Sequence, residues 1–235
     1  SDFFENRERD FLIGFGASTI ACVGAIFFQL VGGILADAYG WQYGFLTYLF
    51  PIWILAITFL FLPEPEKRDE VELHSLQKVK IPKVVYGVSF GQVFFSALIF
   101  GYVTNISVVI QGENLGNATE AGLAISVFTF GTLLAGVVFG MIKSKFQVTY
   151  LPLAVFLTGI GMGICYLSYS LPMIFVGSVI GGIGMGIGIP GVFARISDAT
   201  PKGANNSFVG LAVAAQGVGG IMGPFVFAAI LNVLN

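Results

Sequence analysis

Ser89, Gln92, Ser96 and Ser107 interrupt a stretch without charge between Val84 and Ile110. At about 3.6 residues per turn they fall on one face of a helix, with Asn105 near the opposite face. Hydroxyl and amide groups of this kind can hold a solute by hydrogen bonds, but they supply neither a strong acid nor an activated nucleophile. Their burial in apolar surroundings is unfavourable unless a partner or a water-filled cavity meets them. The stripe therefore faces a cavity or a neighbouring helix, and its members are candidates for contact with a solute. Gln29, Thr129, Thr132 and Gln216, which lie inside other apolar runs, are weaker candidates. Ser and Thr often bond their own helix backbone, and Gln can bridge two helices.

Other chemistry is excluded by what the runs lack. No HExxH, no intramembrane pair of Asp and no Ser with an intramembrane His occurs, so an enzyme is not expected. Cys22 and Cys165 lie far apart in apolar runs without CxxC or metal-ligand spacing, and read as buried thiols, with no metal site and no cofactor. Gly186, Gly188 and Gly191 spell GxGxxG by letter, yet no strand precedes them and the run around them is apolar, so a nucleotide site is not implied. A net charge of −2 and the absence of a basic patch give no reason to expect nucleic acid. His74 sits in a polar interval and is assigned no role.

The elements that must position these side chains follow from composition. Of 235 residues, 56% are hydrophobic and 10% charged, and the mean hydropathy is +0.88. A soluble domain carries about 25% charged residues, so this is a polytopic membrane protein. Seven runs free of Asp, Glu, Lys and Arg cover Phe11 to Ala36, Tyr43 to Leu62, Val84 to Ile110, Ala121 to Ile142, Val148 to Ser168, Leu171 to Phe193 and Phe208 to Leu234. Each is long enough to cross about 30 Å of hydrocarbon as a helix, and none alternates with period two as a barrel strand would. The expected fold is all-α, a multi-pass membrane helix bundle with seven transmembrane helices in a lipid bilayer.

The one long polar interval, Leu62 to Lys83, carries five of the eleven basic residues and is bounded by Pro63, Pro65 and Pro82. Within it Val71, Leu73, Leu76 and Val79 share one face of a possible short surface helix. Placing the loops alternately on two sides puts all eleven Lys and Arg on one of them, and only Asp37, Glu113 and Glu120 on the other. The positive-inside rule makes the first side cytoplasmic, with the N-terminus inside and the C-terminus outside, in a plasma or inner membrane. A seven-span receptor would have the reverse orientation. Asn117-Ala-Thr119 is a formal glycosylation sequon on a short outer loop.

Three motifs carry a resemblance. Gly24, Gly32 and Gly33 match positions of GxxxGPxxGG, with Phe28 and Gln29 where the motif has Gly-Pro; Gly219, Gly223 and Pro224 complete GxxxGP in the last run. Gly140, Lys143 and Lys145 follow the start and the basic part of a loop motif GxxxDRxGRR, without its acid, and Gly33 to Gly40 imitates it on the other side. On these grounds the chain resembles the major facilitator superfamily. The resemblance implies a partial fold spanning helices five to eleven of twelve: residues 1–62 as the last two helices of the N-terminal half, 63–83 as the central linker, and 84–235 as the first five helices of the C-terminal half.

It further implies a monomeric secondary transporter that moves a small organic solute by alternating access. Helix seven lines the cavity in this family, which puts Gln92 and Ser96 first among solute contacts and Asn105 second. The glycine and proline traces, with Gly186, Gly188 and Pro190 as a bendable gate helix, imply helix packing and gating, and an efflux antiporter coupled to protons. The alternative is an uptake permease for a sugar or organic acid. None of the seven runs holds an ionisable group within the membrane for proton coupling, so that group is expected in helices one to four.

Overall fold

A computed structural model describes residues 21–61, 82–200 and 205–234. Residues 62–81 of the polar interval, with its amphipathic face and His74, the first ten residues of the first expected span, and the basic residues Arg7, Arg9 and Lys202 lie outside the described residues. Among the described residues there are helices and no strands. Lipid offers no partner for a backbone N–H or C=O, so an apolar chain must satisfy its backbone internally.

The first helix, α1 (Ala21–Tyr39), ends at Gly40, whose φ of 103° suits a residue without a Cβ. α2 (Trp41–Phe61) starts with one α turn and a 3₁₀ stretch, Phe45–Leu49, before its regular part, Phe50–Phe61. Pro82 caps α3 (Lys83–Gly112) in extended conformation, as expected of a residue that cannot continue a helix upstream. α4 (Ala118–Val137) opens with a capping box: the Asn117 side chain accepts the Glu120 N–H (3.2 Å), and the Asn117 N–H donates to Glu120 Oε2 (2.8 Å).

A short helix, α5 (Phe139–Phe146), turns through Gln147 at φ 44° into α6 (Tyr150–Tyr166). The last two are α7 (Leu171–Ala199), with Pro190 inside it, and α8 (Asn205–Leu234), with Pro224 inside it. Among the described residues six helices are long and apolar enough to cross a membrane, and a seventh span is counted if α5 and α6, which meet at a bend of 117°, are taken together. The expected fourth span, Ala121 to Ile142, is cut short. α4 stops at Val137, and Gly140 to Ile142 join α5, where Lys143, Ser144 and Lys145 draw the chain to the surface. α7 instead runs past its apolar stretch through Arg195 and Asp198, whose charged heads can reach water at the helix end.

The helix α7 is the hub. α4 packs against one face, α6 against another and α3 against a third, while α8 lies along α3 and α1 along α4. Apolar side chains from four helices, among them Phe95, Ile99, Tyr102, Ala124, Phe128 and Ile174, form the main core. Val85, Val192, Ile196, Phe208 and Ala212 close one end of the α3, α7 and α8 group. Close approach rests on glycine: a Cβ on Gly182 would run into the Phe128 carbonyl, and one on Gly131 would stand 2.5 Å from the Val179 carbonyl.

The opposite extreme is α2, where none of the residues is buried and Phe59 is 89% exposed. Such an apolar surface would aggregate in water and is solvated in lipid. Among the described residues Lys83, Lys143, Lys145 and Arg195 sit at one end of the bundle, the basic end, and Asp37, Glu113 and Glu120 sit at the other, the acidic end.

Candidate substrate site

The stripe on α3 is buried at three of its four positions. Ser89, Gln92 and Ser96 are 7%, 2% and 2% exposed, and Ser107 is half-buried. Gln92 Nε2 donates to Ser96 Oγ (3.2 Å), one helical turn on. Gln92 Oε1 and Ser89 Oγ have no hydrogen-bond partner among the described residues. Ser96 also lines the seam with α8, where Gly219 leaves room for its Cβ and for the Val93 carbonyl.

Beside Gln92 a groove of about 580 Å³ runs between α3, α6 and α7, with walls from Val88, Phe95, Leu151, Phe156 and Val192. Among the described residues that line it, Gln92 is the one polar side chain, and its amide offers directional bonding there. Asn105, on the far face of α3, donates to the Gly101 carbonyl (2.8 Å) and to Thr104 Oγ1 (3.0 Å). Ser107 receives Gln111 Nε2 on its hydroxyl (2.7 Å).

The remaining polar candidates tie helices together. Gln29 Oε1 accepts the Thr129 hydroxyl (3.2 Å), which joins α1 to α4. Thr132 donates to its own helix at Phe128 (3.1 Å) and across to the Gly182 carbonyl (3.1 Å), which joins α4 to α7. Gln216 is half-buried on α8. Residues that the sequence did not single out form a further buried cluster: Ser178 donates to the Ile174 carbonyl (2.6 Å), so the Tyr102 hydroxyl is the donor in its 2.5 Å bond to Ser178. Both are uncharged, and the Tyr102 ring stacks on Phe128, 5.2 Å between centroids.

The glycines divide by position. On Gly33 a Cβ would meet the Ala118 carbonyl at 2.9 Å, and on Gly223 the Ala97 carbonyl at 2.6 Å, so both seams need a bare Cα. On Gly24 and Gly32 it would meet nothing within 4 Å. Gly186 faces Thr132 and Ala135, Gly188 faces the Phe95 ring, and α7 continues as one helix through Pro190 to Ala199. Pro224, one residue past Gly223, is half-buried inside α8.

At the basic end the loop motif finds the acid that its own sequence lacks. Lys143 Nζ lies 2.9 Å and 3.2 Å from the two carboxylate oxygens of Asp198 at the end of α7. Lys143 and Arg195 share a recess of about 480 Å³ with Tyr150 and Asp198. Lys145 Nζ lies over the Phe146 ring, 6.0 Å from its centroid. The pair is about half exposed, where an ion pair contributes roughly 0–1 kcal/mol. Charge reversal in Lys143→Asp or in Asp198→Lys is expected to lower the melting temperature slightly in each single variant, and the double exchange to restore it, as read by thermal melts in detergent.

Among the described residues no group of three or more His, Cys, Asp or Glu could hold a metal ion, and Cys22 and Cys165 are free thiols. The arrangement can hold a solute by hydrogen bonds and packing. No curated protein matches the chain. The family model described as Major Facilitator Superfamily matches residues 1–112 and 88–235, two overlapping segments that together cover the whole sequence. With its apolar spans, its basic and acidic ends and its glycine seams, the chain belongs to the major facilitator superfamily.

Proposed function

We propose that this protein, a secondary transporter by its superfamily, exports a small amphiphilic organic solute by alternating access in exchange for protons. In this reading residues 1–62 and 84–235 belong to two halves joined by 63–83, and the basic end faces the cytoplasm. The carrying observation is the buried stripe of Ser89, Gln92 and Ser96, uncharged, with one amide oxygen and one hydroxyl unpaired among the described residues. Gln92 and Ser96 are assigned the solute contact, with Asn105, Gln29 and Gln216 as secondary positions. A hydrophilic anion would call for a cation in the bundle, and no described Lys or Arg lies away from the basic end.

The test is transport by the full-length protein in proteoliposomes under an imposed pH gradient. A fluorescent hydrophobic cation is expected to move against its gradient and a labelled neutral sugar to stay. Movement of the sugar alone would overturn export in favour of uptake. Orientation is checked separately: a membrane-impermeant amine reagent is expected to modify Lys143 and Lys145 in inverted vesicles and not in intact cells.

A further inference from the structure

Asp37 ends the contact between α1 and α4 in a way that local helix chemistry does not require. Its Oδ1 accepts the Ala118 N–H (3.0 Å), and its Oδ2 accepts the Thr119 N–H (2.7 Å) and the Thr119 hydroxyl. These N–H groups open α4 and have no partner within their own helix, and a negative charge is favoured at that end. Yet α4 already carries its own cap in Asn117 and Glu120. Asp37 is a second acceptor, brought from a helix 81 residues earlier. The fit below it is close. A Cβ on Gly122 would stand 2.7 Å from the Gln29 carbonyl, and Gly33 abuts the first turn of α4.

We propose that the Asp37 carboxylate is a latch that holds the acidic ends of α1 and α4 together, and that must release Ala118 and Thr119 whenever that end of the protein opens. The proposal rests on the alternating-access reading, in which α1 and α4 belong to opposite halves. The closed latch occludes Ser126, buried on α4 with its hydroxyl 3.4 Å from the Ile26 carbonyl and 2.8 Å from that of Gly122. Eight residues at 1.5 Å each put it roughly 12 Å along α4 from Ala118.

Position 126 is therefore the reporter. In the full-length protein in membranes, Cys22 and Cys165 are replaced by Ser and Ser126→Cys is introduced. Labelling by an impermeant maleimide is then followed from the acidic-end side. Asp37→Ala is expected to raise the labelling rate at least fivefold. Asn117→Ala, which removes the helix's own cap and leaves the latch, is expected to leave the rate unchanged; an equal acceleration there would assign the effect to fraying of α4 and overturn the latch. Cross-linking Asp37→Cys to Thr119→Cys is expected to suppress labelling.

A parent rate in Asp37→Ala, with suppression by the cross-link, sinks the latch and leaves alternating access standing. Labelling that ignores the cross-link means that the helices do not part there, and removes the reading beneath it. If Asp37→Ala does not reach the membrane, Asp37→Asn keeps one acceptor oxygen and is expected to label at an intermediate rate, a parent rate again counting against the latch.

Discussion

Gly182→Leu is expected to abolish accumulation of folded protein in the membrane. The Gly182 Cα lies against the Phe128 carbonyl, so that even a methyl group there would overlap the α4 backbone. One turn on, Gly186 meets the Thr132 carbonyl, and between them Thr132 donates to the Gly182 carbonyl at 3.1 Å. A leucine must push α4 and α7 apart along this seam and forfeit the dispersion contacts and the hydrogen bond together. Overpacking of a tight core by single side chains costs about 1–3 kcal/mol, and here the obstacle is backbone, which cannot rotate away. Lipid offers α4 no hydrophobic gain on re-docking, since its tails are as apolar as the helix.

Gly182→Ala is expected to show a lesser form of the same defect, with the protein made but melting several degrees lower. Gly159→Ala is the control. A Cβ there meets nothing within 4 Å, and alanine has the better helix propensity, so its melting temperature is expected to match the parent or exceed it slightly. Size-exclusion profiles and thermal melts in detergent read all three. A leucine variant that elutes and melts like the parent would overturn the view of α7 as a hub built on absent side chains.

The same glycines show how far a sequence can be read. Thirty-two of them announce close packing, but no spacing tells Gly33, pressed on the Ala118 carbonyl, from Gly32, with open space beside it. Which glycine matters is settled by where the neighbouring helix crosses, a long-range property. The spans themselves were legible because lipid imposes one rule on every residue: apolar stretches of a certain length must be helices. Helix limits therefore agree within a few residues for α3, α6 and α8, and differ for α4, which stops at Val137 six residues before Lys143, and for α7, which continues past Phe193 through Arg195 and Asp198.

Burial of the α3 stripe was legible too, since Ser89, Gln92 and Ser96 share a face by helical periodicity alone. Partners distant in sequence were not. Lys143 finds Asp198 55 residues on, and Asp37 finds Thr119 82 residues on; an acid absent from the loop motif's own sequence, and one placed by sequence only on the outer side, each meet their partners only through the fold. Local signals do show in the sequence: Asn117 and Glu120, three apart before an apolar run, have the form of a capping box.

The Gln92→Met variant is expected to melt higher than the parent and to transport at least tenfold more slowly. Gln92 is 2% exposed, and of its two polar atoms only Nε2 has a partner, in Ser96. An unpaired buried acceptor costs about 1–3 kcal/mol, and methionine keeps the length and flexibility of the side chain without the amide. The stripe therefore carries an unfavourable group that folding alone would not retain. If the unpaired oxygen is held for a donor on the solute, its removal deletes a bond worth about 1.4 kcal/mol or more in the loaded protein, which is a factor of ten.

Ser96→Ala provides the opposite sign: it takes away the acceptor of Nε2, leaves the whole Gln92 amide unpaired, and is expected to lower stability by about 1 kcal/mol while Oε1 stays available. The measurements are a thermal melt and the initial rate for whichever probe solute the parent moves in proteoliposomes. A packing role for Gln92 would show as a change in melting temperature with transport intact. A solute role separates the two, because stability and transport then move in opposite directions at one residue.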